Sequence, residues 1–268
     1  GVNAGNSIAS GGNYNVAIGD EAGTAITTGD YNVALGYKAL EATNTATSST
    51  GVGAFALDAN TTGSNNVGVG HGALTANTTA ADNVAVGYIA MENNTTGTAN
   101  TAVGTEALEA NTTANNNTAV GYRSLEANTT GTGNNAFGAL ALDANTTGNY
   151  NVALGDSSLG AATTASGNTA VGSAAATAIT TGANNTAVGL DSLKANTTGT
   201  QNVAVGTIAG DALTVGSANI AVGYASLSSD TRGSKSIAVG TGALFTQNFT
   251  SATNAYNTAV GDSAGNAV

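Results

Sequence analysis

The stretch "NVAVGYIAMENNTTGTA", residues 83–99, contains no cysteine, no histidine and a single charged side chain. Its opening V-A-V alternates with period two and is β-branched, which predicts a strand. The same shape recurs in both directions along the chain. The glycine that closes its first half falls at Gly19, Gly36, Gly53, Gly70, Gly87, Gly104, Gly121, Gly138, Gly155, Gly172, Gly189, Gly206, Gly223 and Gly240, and every step is seventeen residues. A further copy ends at Gly261, displaced by four residues, which places an insertion within 241–256, in the run "FTQNFTSATNAY". Repetition in strict register reads as a single continuous array over 1–268 with no internal linker.

Seventeen residues are too few for two helices and a turn, so the bundled helical repeats are excluded by length. A helix over "ALEAN" (107–111) would be too short to stand without tertiary support, and a second short strand is the expectation there. The predicted fold class is all-β: a parallel β-solenoid, or β-roll, of about fifteen 17-residue coils. Stacked at a strand spacing of about 4.8 Å, such coils give a rod roughly 70 Å long.

Numbered from its asparagine, each position of the phrase has its own constraint. The first is Asn in thirteen copies and Ser in two, Ser49 and Ser236. The fourth is always large and apolar, from Ile18 to Val260, and the ninth is mostly Leu or Met, as at Leu40, Met91 and Leu108. These two columns are expected to point inward as aliphatic ladders. Asparagine can bond to its copies in neighbouring coils, and the glycine at the fifth position is expected at positive φ, where a side chain is penalised. Proline is absent, consistent with each coil needing its N–H groups for stacking.

If the second and fourth positions point inward, the third points out. That column is Ala17, Ala34, Gly51, Gly68, Ala85, Ala102, Ala119, Ala136, Ala153, Ala170, Ala187, Ala204, Ala221, Ala238 and Ala259. A solvated column would drift in composition, so an unbroken small-residue strip is expected to pack against another chain. The competing reading is that a thin single-chain core excludes larger groups.

The phrase N-[VT]-A-[VI]-G followed by A-L, as in "NVAIG" (15–19) and "NTAVGTEAL" (100–108), resembles the head repeats of trimeric autotransporter adhesins. It is also similar to the "NTAVGYxAL..NTTG" arrays of phage tail fibres and related surface proteins. The resemblance implies a left-handed parallel β-roll, three chains packed about a common axis and the small residue at the interface. The period here is longer than that of the usual adhesin repeat.

Five basic against sixteen acidic residues give a net charge of -11, which would repel a phosphate backbone and argues against nucleic acid as a partner. No run of eighteen apolar residues is present, so no membrane insertion is expected. The chain has no cysteine, which excludes disulfides and thiolate metal sites, and no initiator methionine, which suggests a processed chain or a fragment.

Candidate sites are few. His71 is the single histidine and reads as a surface side chain; it is the one imidazole available as a base, so no nucleophilic triad is expected, and without a second His or a Cys no usual zinc site. Acidic residues recur at the tenth position, at Glu41, Asp58, Glu92, Glu109, Glu126 and Asp143, and read as a solvated edge rather than a calcium roll. Asn60 with Thr61, Thr78, Thr95, Thr112, Thr129, Thr146, Thr163, Thr180 and Thr197 forms a candidate surface ladder for a ligand, ice or a glycan. The N-x-[ST] acceptor pattern recurs in it, at Asn60, Asn77, Asn94, Asn111, Asn128, Asn145 and Asn196.

Together these readings predict a non-enzymatic structural fibre or adhesin segment, extracellular, on a cell surface or a virion fibre. No cofactor and no metal are expected. The expected partner is the chain itself, as a homotrimer or an end-to-end filament, with a cell-surface receptor or glycan as a further partner. An ice-binding solenoid using the threonine columns is the alternative function, and a protomer of an extracellular filament is the second.

Overall fold

The computed structural model describes residues 1–8 and 11–266. The fold is a parallel β-solenoid of about 14 turns with a spacing of about 17 residues, and no helix occurs among the described residues. Two compact units, Gly1–Gly133 and Asn134–Val268, are taken separately.

In the first unit, strands Val16–Ile18, Val33–Leu35, Thr50–Val52, Val67–Val69, Val84–Val86, Thr101–Val103 and Thr118–Val120 form a parallel sheet in chain order. Register is unslipped: Val84 faces Thr101, Ala85 faces Ala102 and Val86 faces Val103. In the second unit, Asn135–Phe137, Val152–Leu154, Thr169–Val171, Thr186–Val188, Val203–Val205, Ile220–Val222, Ile237–Val239 and Thr258–Val260 pair in the same way. The insertion is absorbed locally. Gln247 still bonds Asp230, 17 residues back, whereas Ala255 N–H donates to Ser234 O, so the extra residues lie between 247 and 255. Asp230 anchors this bend. Its buried carboxylate accepts from the N–H groups of Gly233 (2.9 Å) and Phe249 (3.1 Å) and from Gln247 Nε2 (2.6 Å).

The direction of the V-A-V strands is the reverse of the expected one. Ala34, Ala85, Ala102, Ala119, Ala136, Ala153, Ala170, Ala187, Ala204 and Ala238 are fully buried, Ala221 and Ala259 nearly so, Gly51 and Gly68 are buried, and Ala17 is half-buried. Apart from Ala17, the expected inter-chain column is therefore interior to its own coil and has no surface to offer a second chain. The reason is the thinness of the coil. A Cβ on Gly51 would sit 3.1 Å from Leu40 Cγ and 3.0 Å from Ala56 O, so the third position faces the leucine of the preceding coil across the core. There is room for a methyl group and no more. The ninth-position leucines, as expected, are fully buried, among them Leu40, Leu57, Leu74, Leu108, Leu125 and Leu142, with Met91.

The expected second strand does not form. Residues 104–110 are a run of turns in which Glu106 (φ 58°) and Leu108 (φ 55°) adopt left-handed conformations. This alternation flips successive N–H groups along the stacking axis: Glu106 donates back to Tyr88 O (3.0 Å) and Leu108 forward to Ser124 O (3.0 Å). Each coil thus bonds both neighbours through a segment that is not a strand, at a cost of about 1–2 kcal/mol for every non-glycine residue so placed.

The residue before each coil's asparagine is left-handed too, including Ala99 (φ 56°), which is exposed, while Gly133 and Gly167 hold glycine at the equivalent place. Ala99→Gly, a substitution that ordinarily destabilises, is expected here to add about 0.5–1 kcal/mol, since the relieved strain exceeds the entropy glycine loses on folding. Urea unfolding reads the outcome, and a lower midpoint for the variant would contradict it.

Candidate interaction surface

With alanine inside, the second and fourth positions become the outer face of the sheet. In the second unit, Val152, Leu154, Val203, Val205, Ile220, Ile237 and Phe137 are exposed, from 36% at Val203 to 48% at Leu154, and Val16, Ile18 and Leu35 are exposed in the first. Neither column holds a charged residue in any coil. The result on each unit is a flat strip of β-branched and aliphatic side chains, relieved by threonines such as Thr169 and Thr186. An uncharged apolar strip of this kind is the candidate contact surface of the chain.

The asparagine–threonine element is also placed differently from expectation. Asn60, Asn77, Asn94, Asn111, Asn128, Asn145 and Asn196 are fully buried. Five of them form a rising amide ladder: Asn77 Nδ2 donates to Asn60 Oδ1 (3.0 Å), Asn94 to Asn77 (2.9 Å), Asn111 to Asn94 (2.8 Å) and Asn128 to Asn111 (3.3 Å). A glycan cannot be carried on a side chain enclosed in this way, so these acceptor patterns are structural in the folded chain. The first threonine of each pair is half-buried and turns its hydroxyl to the next coil. Thr61 Oγ1 donates to Thr78 O (2.9 Å), Thr95 to Thr112 O (3.0 Å), Thr146 to Thr163 O (3.0 Å) and Thr197 to Thr214 O (3.1 Å). Thr78, Thr112, Thr163 and Thr180 do the same, and Thr129, which is also half-buried, occupies the same column. The exposed hydroxyls belong to the second threonine, as at Thr62, Thr79, Thr96 and Thr113. They make one column, whereas the two-dimensional array that ice or a flat ligand requires needs two side by side.

The acidic corner contains basic partners, Lys38 and Arg123, each of which joins a carboxylate of its own coil to one across a seventeen-residue step. Lys38 Nζ lies 3.1 Å from Glu21 in the preceding coil and 3.2 Å from Glu41 in its own. Arg123 likewise bridges Glu106 (3.1 Å) and Glu126. Bonding to Glu21, then to Glu41, holds the Lys38 ammonium above its usual range, and Glu126 does the same for Arg123. Glu106, Glu109 and Glu126 converge within 4.8 Å, with Arg123 engaging two of the three. His71 is exposed as expected and stands in a row of rings, 5.7 Å from Phe55 and 5.6 Å from Tyr88.

Asp58 is half-buried in this corner, and burial pushes its carboxyl above the usual carboxylate range despite the Ala59 N–H, with Glu41 adding to the rise. A raised folded value means that folding disfavours the ionised form. Its contribution is thus favourable below the unfolded value and is lost as pH rises through the folded one. Asp58→Asn is expected to raise the urea midpoint at about pH 7 and to change it little at about pH 3.5, where the carboxyl is already protonated. A variant less stable at the higher pH would refute this.

No family model, curated protein or solved structure matches the chain. The surface must therefore be interpreted from its own chemistry.

Proposed function

We propose that the chain is a non-enzymatic structural segment of an extracellular fibre or adhesin. It acts as a rigid β-solenoid rod for attachment or display and associates with further copies of itself, three of them on the resemblance to the trimeric adhesin head repeats. The observation that carries this reading is the division of labour among positions. Alanine, leucine, asparagine, glycine and the first threonine are committed to stacking one coil on the next, and the residues left over on the sheet form an uncharged apolar strip. Identical strips meeting around a symmetry axis would bury that surface in a closed assembly without placing any charge in the contact. Exposed positions such as the sixth, which holds Tyr37, His71, Tyr88, Tyr122 and Tyr224, would remain for receptor contact.

Analytical ultracentrifugation is the test. The expected species has about three times the 25.5 kDa chain mass, and Val205→Glu on the outer face is expected to shift it toward the monomer. A wild-type mass of 25.5 kDa would refute self-association.

A further inference from the structure

Among the described residues one ring contact joins two tyrosines. Tyr14 and Tyr31 stack with centroids 5.0 Å apart and planes 7° from parallel, and they are 76% and 59% exposed. The remaining aromatic contacts pair unlike rings, Tyr37 with Phe55, Phe55 with His71 and His71 with Tyr88, while Tyr256 lies under Lys235. The Tyr14–Tyr31 geometry is imposed by the repeat. Both residues occupy the left-handed position that precedes a coil's asparagine, with φ 59° at each. Their backbones are tied beside the rings by Tyr31 N–H donating to Asn13 O (3.1 Å) and Asn13 N–H donating to Asp30 Oδ1 (2.6 Å). The two phenols are thus held side by side, in register and open to solvent.

We propose that Tyr14 and Tyr31 form an oxidative modification site, at which a one-electron oxidant of the haem-peroxidase and hydrogen peroxide class joins them as an intrachain dityrosine. Each phenol loses one electron to the oxidant and one proton to water. The two radicals couple through a ring carbon ortho to each hydroxyl, and the rings recover aromaticity by moving the displaced ring hydrogens back to the phenol oxygens. The new bond is carbon to carbon, the chain loses two hydrogens, and one hydrogen peroxide is reduced to two waters. Coupling is fast at this pair because the second phenol is already in place when the first is oxidised, which replaces a bimolecular encounter with an intramolecular one. The product is a covalent link between adjacent coils in a chain with no cysteine to supply one.

The full chain treated with horseradish peroxidase and hydrogen peroxide, then digested and analysed by mass spectrometry, tests the proposal. The expected result is dityrosine fluorescence from material that still runs as a single chain on a denaturing gel. The peptides containing Tyr14 and Tyr31 should be joined and lighter by two hydrogens. Tyr31→Phe keeps the stacked ring and the fold, and is expected to lower intrachain dityrosine at least about tenfold, whereas Tyr150→Phe leaves it unchanged. Undiminished yield in Tyr31→Phe, or dityrosine found mainly in other peptide pairs or between chains in the wild type, would overturn it.

Discussion

Gly206→Ala is expected to destabilise the solenoid by about 3–5 kcal/mol, from two separate causes. The residue sits at φ +134°, a conformation open to glycine and strained for any side chain, which accounts for about 1–3 kcal/mol. In addition, a Cβ there would lie 2.6 Å from Gly223 O and 2.7 Å from its carbonyl carbon, so the backbones of adjacent coils would have to separate. The bonds that hold this corner are short and point along the stack: Gly206 N–H to Val188 O at 2.7 Å and Gly223 N–H to Val205 O at 2.8 Å. Forcing the coils apart stretches them.

Gly261 provides the control. Its φ is +128°, but the nearest atom to an added Cβ is Ala264 Cβ at 3.9 Å. Gly261→Ala should therefore cost only the conformational part, about 1–3 kcal/mol. Because each coil contacts only its neighbours, the damage in Gly206→Ala is expected to be local. Faster amide exchange should appear in the coils on either side of residue 206 before it appears elsewhere. Equal destabilisation by the two substitutions would show that close approach of the coils plays no part.

How much of this was legible in the sequence depends on whether a constraint acts within one coil or between coils. The seventeen-residue period, the strand at V-A-V and the positive φ of glycine were readable because each leaves a mark at a fixed position. The polarity of the strand was not. Alternation states that Ala85 and Val86 face opposite ways without stating which faces in, and the usual presumption that larger apolar groups are buried selected the wrong side. What decides it is the leucine of the neighbouring coil, which takes up the interior volume and leaves the third position room for a methyl group. Only the stacked arrangement reveals that neighbour. Asn77 and Asn94 are hidden for a related reason: the N-x-[ST] pattern points to the surface, and only stacking shows that their amides bond each other. One ion pair of Lys38, with Glu21, and one of Arg123, with Glu106, are likewise formed with residues a full coil away.

The asparagine at the first position gives the second large effect and tests whether buried amides hold the coils together. Asn100 is fully buried and bonded on both sides. Its N–H and Nδ2 donate to Asn83 Oδ1 (3.0 and 3.2 Å), Nδ2 donates also to Ala114 O (2.8 Å), and its Oδ1 accepts from Asn117 N–H (3.0 Å). Asn100→Ala removes all the side-chain members of this set from a site water does not reach, and is expected to cost about 2–4 kcal/mol. Serine already serves at this position in two coils, and in one of them Ser49 Oγ donates to Gly63 O at 3.3 Å and accepts from Asn66 N–H at 3.4 Å. Asn100→Ser should accordingly retain weaker versions of both bonds and cost less, about 1–2 kcal/mol. Asn100→Asp is the informative member of the series. It keeps the acceptor for Asn117 but sets a carboxylate oxygen against the Ala114 carbonyl in a buried site, so its ionised form should be worse than alanine. Burial raises such a carboxyl, and the protonated acid restores a donor toward Ala114, so this variant alone should gain stability relative to wild type as pH falls through the carboxylate range. Urea unfolding of the three variants at neutral and acidic pH reads the order. If aspartate proves no worse than serine at neutral pH, the amide ladder does not hold adjacent coils in register.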